Sequence, residues 1–124
     1  MGNGDLRPRA TAVVIRDGKV LLVKNRGQRH FSLPGGGIRR RETVVSAAAR
    51  ELYKELRLQA VKVTRLPQYD FTGSTNMHHV CVIKANGEPS LRRLELSKFI
   101  WWDMKEYIPV FRHVMGILSR MMST

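Results

Sequence analysis

Leu33-Pro34-Gly35-Gly36-Gly37-Ile38-Arg39-Arg40-Arg41-Glu42-Thr43, followed by VVSAAARELYKELRL over residues 44–58, is the stretch whose reading decides the fold. Three glycines behind a proline are expected to break both helix and strand. From Thr43 to about Leu56 the apolar residues then recur at helical spacing, with Val45, Ala48, Leu52 and Leu56 on one face. Glu42 and Thr43 stand at the start, where the helix macrodipole favours an acid. The charges on this helix are badly placed for stability alone. Arg50 and Lys54 are four apart, as are Glu51 and Glu55, and like charges at that spacing cost roughly 0.2–0.5 kcal/mol per pair in an isolated helix. Two carboxylates one turn apart are instead suited to a hard divalent cation, whose oxygen ligands converge at about 2.0–2.6 Å. The glycine loop can add backbone carbonyls, because residues without a Cβ let a ligand approach closely.

On the N-terminal side, Ala10 to Arg16 and Lys19 to Asn25 are apolar, β-branched runs separated by Asp17-Gly18, a pattern that predicts a two-stranded hairpin. Beyond the helix, Ala60 to Leu66, Met77 to Ala85 and Phe99 to Trp102 read as strands, and Asn86-Gly87 as a turn. A last helix is expected to begin near Pro109, a residue suited to a first helical position. Its apolar set, Val110, Phe111, Val114, Met115, Leu118, Met121 and Met122, reads as core or as a dimer contact. His78 and His79 are neighbours in a strand run, so at most one of them faces a cleft, and both read as packing or edge residues. Tyr69, Phe71, Trp101 and Trp102 read as core aromatics, and Cys81, the single cysteine, as a packed strand residue. Strands on both sides of one helix, with a second helix at the end, imply an α/β domain whose mixed sheet packs between helices.

The 124 residues suit one domain, 1–124, rather than two. With 43% hydrophobic and 26% charged residues, the composition is that of a globular chain rather than a disordered one. No run approaches the roughly 20 apolar residues of a membrane span, and Met1 to Pro8 lacks a signal-peptide core. Leu6 stands where a myristoylation signal on Gly2 would need Ser or Thr. A cytoplasmic protein without membrane partners, monomeric or homodimeric, is therefore expected. Twenty-two Lys and Arg against ten Asp and Glu give a formal charge of +12, a field that concentrates phosphates and nucleic acids near the surface.

The spacing Gly36, Glu42, Arg50-Glu51, Leu52, Glu55 and Leu58 resembles the Nudix box. The resemblance extends to Ala12–Val23, similar to the family's opening hairpin, to the Leu33–Gly37 lead-in, and to Phe99-Ile100-Trp101, similar to a later strand. It implies a Nudix-type α/β/α sandwich with a mixed central sheet, in which the box forms loop, helix and loop. It also implies a MutT-like pyrophosphohydrolase that cleaves a nucleoside diphosphate derivative, of nucleoside triphosphate or dinucleotide type, with Mg2+ or Mn2+. On this resemblance Glu51 and Glu55 are metal ligands together with Gly36, and Glu55, Glu51 and Arg50 are the catalytic set. Glu42 and Arg50 brace the loop against the helix.

The chain departs from the box at two positions. Lys54 replaces a third helix carboxylate, so a metal there is expected to be lost unless the side chain turns away: at 5 Å and an effective dielectric of about 20, the repulsion is on the order of 6 kcal/mol. Lys54 is instead a candidate contact for a substrate phosphate. Arg57 replaces the glycine suited to the left-handed turn that ends many helices. Arg39, with Arg40 and Arg41, forms a basic run placed to attract polyphosphate or RNA ends. Glu95 is the candidate for a further acid outside the box, with Asp70 behind it. The alternative is a catalytically impaired Nudix domain that binds nucleotide or RNA through Lys54 and the arginines.

Overall fold

Asp17 and Gly18 both have positive φ, 53° and 76°, the backbone that joins two strands in the right-handed twist of a hairpin. In the computed structural model, which describes residues 6–91 and 94–123, the first arm of that hairpin is shorter than the sequence suggests. Only Ile15–Arg16 (β2) pairs with Lys19–Asn25 (β3). The residues before it form a separate strand, Arg7–Val13 (β1), in another sheet. The split has a packing cause. Ala10 and Ala12 are buried in one core and Val13 in the other, so β1 needs cover on both faces and takes an interior place in a sheet.

There β1 runs parallel to Asn76–Asn86 (β7). On the far side of β7 lies the antiparallel Gln59–Arg65 (β5), and the short Phe71–Thr72 (β6) also pairs with β7. The edge beside β1 is Gly35–Gly37 (β4), antiparallel, with Arg9 opposite Gly37 and Ala10 opposite Gly36. The glycine run therefore does not break strand structure; it forms a short strand. A side chain on Gly35 would run into the Ala10 carbonyl, so the missing Cβ is what lets the two backbones approach. The second sheet has the order β2-β3-β8, where β8 is Leu96–Trp102 and pairs antiparallel with β3.

The central helix, α1, spans Val44–Leu56. Thr43 caps it, its hydroxyl accepting from the Ser46 N–H at 3.1 Å, and Arg57 ends it in the left-handed region at φ 59°. Ala47, Ala48, Leu52 and Leu56 are buried along it, while Val45 is only half-buried. Each fully buried leucine stabilises by roughly 1.5–3 kcal/mol. The second helix, α2, spans Arg112–Met122 and starts later than the expected Pro109. Residues 109–111 are held extended, because the Phe31 N–H donates to the Pro109 carbonyl and the Phe111 N–H to the Phe31 carbonyl, both at 2.9 Å. Its buried face is His113, Val114, Ile117 and Leu118, with Phe111, Met115 and Met122 exposed.

Period-two alternation divides the core. Leu21, Val23, Cys81 and Ile83 face α1, whereas Val20, Leu22, Val80 and Trp102 face α2. The result is an α/β/α sandwich built on mixed β structure. Cys81 and Trp102 are buried as expected of packed strand residues, while Trp101 is half-buried beneath the Arg16 guanidinium. Among the described residues no helix is long and apolar enough to cross a membrane. Gly2 and the first part of the polar N-terminus lie outside the described residues.

Candidate active site

The loop after β4 is tied to α1 by one guanidinium. Arg50 donates from Nε and Nη2 to the two Glu42 carboxylate oxygens, each at 2.7 Å. It also donates from Nη1 to Glu51 Oε2 at 2.6 Å and from Nη2 to the Gly37 carbonyl at 3.0 Å. The fork fixes distance and plane together, which a lysine ammonium cannot do. Glu42 closes the loop further by accepting from the Arg39 N–H at 2.9 Å. Hydrogen bonds from Arg50 and then from the Arg39 backbone lower the Glu42 carboxyl to about 2. The Arg50 guanidinium is shifted the other way, upward, chiefly by Glu42.

Glu51 is buried, and its second oxygen lies toward the loop. A Cβ on Gly36 would stand 2.5 Å from the Glu51 carboxyl carbon and 2.7 Å from Oε1. The Glu51 carboxylate therefore occupies space that only a glycine leaves open. One turn on, Glu55 Oε1 accepts from the Gly35 N–H at 3.2 Å. Two helix carboxylates thus meet one glycine loop. Among the described residues there is no cluster of three or more acidic, His or Cys side chains that would hold a metal. The donor set that fits a divalent ion is two carboxylates plus a glycine carbonyl, all oxygen, as a hard cation requires.

Next to this loop stands Arg9, which the sequence reading left out. On β1 it lies between Gly37 of β4 and His78 of β7. It shares the alternation of Thr11 and Val13, so its side chain belongs to the face turned away from α1. Its Nη2 donates to the Leu33 carbonyl at 2.8 Å, while Nε is buried without a hydrogen-bond partner among the described residues. Burial lowers the Arg9 pKa, opposed by the negative charges of Glu55 and Glu51. Extending the first strand back to Arg7 would have revealed it, since Arg9 then falls two residues before a buried threonine.

Arg9 also lines a cleft of about 650 Å³, along with His78, His113, Phe111 and Arg112. That volume suits a small-molecule site, where roughly 300–1,000 Å³ is usual. His78 and His113 stack in the cleft wall, ring centres 4.2 Å apart. His78 Nδ1 pairs with the Thr11 hydroxyl at 2.8 Å, and His113 Nε2 accepts from the Leu33 N–H at 3.2 Å. Burial first, with Arg9 adding to it, depresses His78 to about 4. Burial and then His78 and Arg9 depress His113 to about 3. Of the two neighbouring histidines, His78 faces the cleft, and His79 turns the other way toward Asp70.

The remaining expected positions divide. Lys54 is exposed on α1, and Arg39, Arg40 and Arg41 are exposed on the loop. Glu95 is exposed just before β8, where its carbonyl accepts from the Arg26 N–H at 2.5 Å. Asp70 is drawn into a different cluster. Its carboxylate takes both Arg65 Nη groups at 2.7 and 2.8 Å and the Val80 N–H at 2.9 Å. An acid bound on both oxygens has little left to offer a metal, so Asp70 braces the segment after β5 instead.

The fold and this loop and helix define an α/β/α sandwich domain with an acidic, glycine-bordered site beside a basic cleft. The family model of the NUDIX domain matches residues 6–119, and the chain belongs to that family. It is similar to an RNA pyrophosphohydrolase of Aeromonas hydrophila, 42% identical over 66 residues. That match covers 52% of this chain and spans only 38% of the relative's length. A protein of Chromobacterium violaceum put forward as a nudix hydrolase family member superposes with a TM-score of 0.82 and 26% identity, covering 98% of this chain and 80% of the other. A NUDIX hydrolase from Nitrosomonas europaea gives 0.76 at 20% identity, covering 95% and 89%.

Proposed function

We propose that the chain hydrolyses the pyrophosphate bond of a nucleoside diphosphate derivative, of nucleoside triphosphate or dinucleotide type, with Mg2+ or Mn2+. The observation that carries this reading is the convergence of Glu51 and Glu55 on Gly35 and Gly36. Glu51, Glu55 and the Gly36 carbonyl would hold the ion, leaving its other positions to phosphate oxygens and water. When bound, such an ion polarises the phosphoryl oxygens and makes water a better nucleophile. Arg50 keeps Glu51 aimed at the loop, and Glu42 keeps Arg50 in place. Water attacks one phosphorus, the bridging P–O bond breaks, and the leaving phosphate oxygen takes the electron pair. Lys54 and Arg39, both exposed, would meet outlying substrate phosphates. The partial likeness to an RNA pyrophosphohydrolase and the +12 charge put 5′-triphosphorylated RNA among the substrates to try.

The test is hydrolysis across a panel of nucleotides and triphosphorylated RNA, with each metal, in the native chain, Glu55→Gln and Lys54→Glu. Turnover is expected in the native chain. It should fall on the order of a hundredfold or more in Glu55→Gln, at or beyond the tenfold to hundredfold typical of a ligand's supporting partners. It should rise in Lys54→Glu, where the restored anionic ligand outweighs the lost phosphate contact. The second reading, a binder without hydrolysis, rests on Lys54 standing where a carboxylate would serve a metal. No turnover under any condition, together with salt-sensitive RNA binding that survives Glu55→Gln and needs no metal, would establish it instead.

A further inference from the structure

Arg9 is a cation placed where its chemistry is only half used. One Nη2 bond to the Leu33 carbonyl holds it, yet Nε is buried with no hydrogen-bond partner among the described residues. Leaving such a donor unpaired costs stability, and a methionine or leucine would fill the same strand position without that cost. The neighbours do not compensate. His78 directs Nδ1 to Thr11, and His113 uses Nε2 as an acceptor from the Leu33 N–H. That bond needs an unprotonated Nε2 on His113, and burial disfavours a charged His78, so the pair adds no positive charge beside the guanidinium. Arg9 is therefore a buried formal charge in the cleft lining, which also holds Arg112, and in the sheet it stands between Gly37 on one side and His78 on the other. Arg9 lines the cleft and also feels the charges of Glu55 and Glu51, so a substrate with its pyrophosphate at those carboxylates and its nucleoside in the cleft would bring the intervening phosphate toward Arg9.

We infer that Arg9 is a specificity-determining residue whose guanidinium, on the cleft lining, binds the phosphate adjoining the nucleoside. The inference rests on the hydrolase reading only for where the substrate lies; the contact itself belongs to any 5′-phosphorylated nucleoside. A guanidinium matches a phosphate in plane as well as charge, and an ammonium does not. The stacked histidines share the cleft lining with Arg9, and Arg112 is a second cation in that lining.

The experiment follows the arginine Nε–Hε resonances of the whole chain by NMR, with the Arg9 signal assigned in the native chain by through-bond correlation to its own backbone. Three probes are titrated without metal: inorganic phosphate, a nucleoside 5′-monophosphate and the uncharged nucleoside. Both phosphates are expected to shift the Arg9 signal and the nucleoside to leave it in place. Arg9→Lys should weaken monophosphate binding at least tenfold and leave nucleoside binding unchanged, a split that a merely structural arginine would not produce. An Arg9 signal that stays still at saturating monophosphate overturns the inference, and this holds even if the variant fails to fold. So does equal monophosphate affinity in the two proteins. Hydrolysis with a silent Arg9 would remove the subsite and keep the enzyme. A responsive Arg9 in a chain that hydrolyses nothing would keep the subsite and remove the enzyme.

Discussion

Gly35 and Gly36 are adjacent, yet they lack a side chain for different reasons, and alanine should separate them. At Gly35 the obstacle is the Ala10 carbonyl, part of a strand that cannot move alone, so Gly35→Ala should cost on the order of 1–3 kcal/mol of stability. At Gly36 the obstacle is the end of the Glu51 side chain, which can rotate away. Gly36→Ala should leave the thermal midpoint within a few degrees of the native value while hydrolysis drops at least about tenfold. Melting curves and turnover on both variants decide this; full activity in Gly36→Ala would show that the Glu51 position does not matter. The residues of the loop and helix were legible in the sequence because α1 sets their spacing: a turn of helix puts Glu51 and Glu55 together whatever the tertiary fold does. Arg9, His78 and His113 were not. They come from β1, β7 and α2, and only strand pairing and helix docking bring them to one cleft.

At the scale of the element, α1 is capped well at one end and less well at the other. Arg57 takes the left-handed conformation that glycine adopts without cost, and its N–H reaches the Tyr53 carbonyl at 2.8 Å. That conformation costs a side-chain-bearing residue about 1 kcal/mol, partly offset by the guanidinium lying 4.9 Å from the Tyr53 ring centre. Arg57→Gly is therefore expected to raise stability slightly, by about 0.5 kcal/mol, after allowing for the greater freedom of glycine in the unfolded chain. A urea titration measures this, and a loss of more than about 1 kcal/mol would mean that the stacking outweighs the backbone strain. Helix α1, β5 and β7 follow their sequence patterns closely because local periodicity and core position agree. Local periodicity and core position part at two segments. Residues 10–16 look like one strand, but Val14 lies between two strands in two different sheets. Residues 109–111 look like a helix start, but two backbone bonds to Phe31 hold them extended.

At the scale of the whole molecule, acid acts on the joint between the sheets and α2. His78 and His113 titrate well below the ordinary histidine value, at about 4 and about 3, because burial and then Arg9 and His79 disfavour the charged His78 ring, and burial and then His78 and Arg9 the charged His113 ring. In the unfolded chain both protonate near pH 6.5, so from there down to about 4 the unfolded state binds more protons than the native one. The stability they confer is complete above pH 6.5 and is lost as the pH falls through that window. Lowered carboxylates act later: Glu42, held at about 2, loses its contribution as the pH falls from the ordinary carboxylate value to about 2. The interval from pH 7 to 5 thus belongs to the histidines, and the unfolding free energy measured by urea titration should fall there by on the order of 4 kcal/mol, about half from each ring. Rising net charge acts in the same direction, so the slope must be compared with His113→Gln, whose amide oxygen is an acceptor for the Leu33 N–H. That variant should lose about half of the pH dependence. An unchanged slope would assign the acid sensitivity to the charge of the whole surface rather than to the stacked pair.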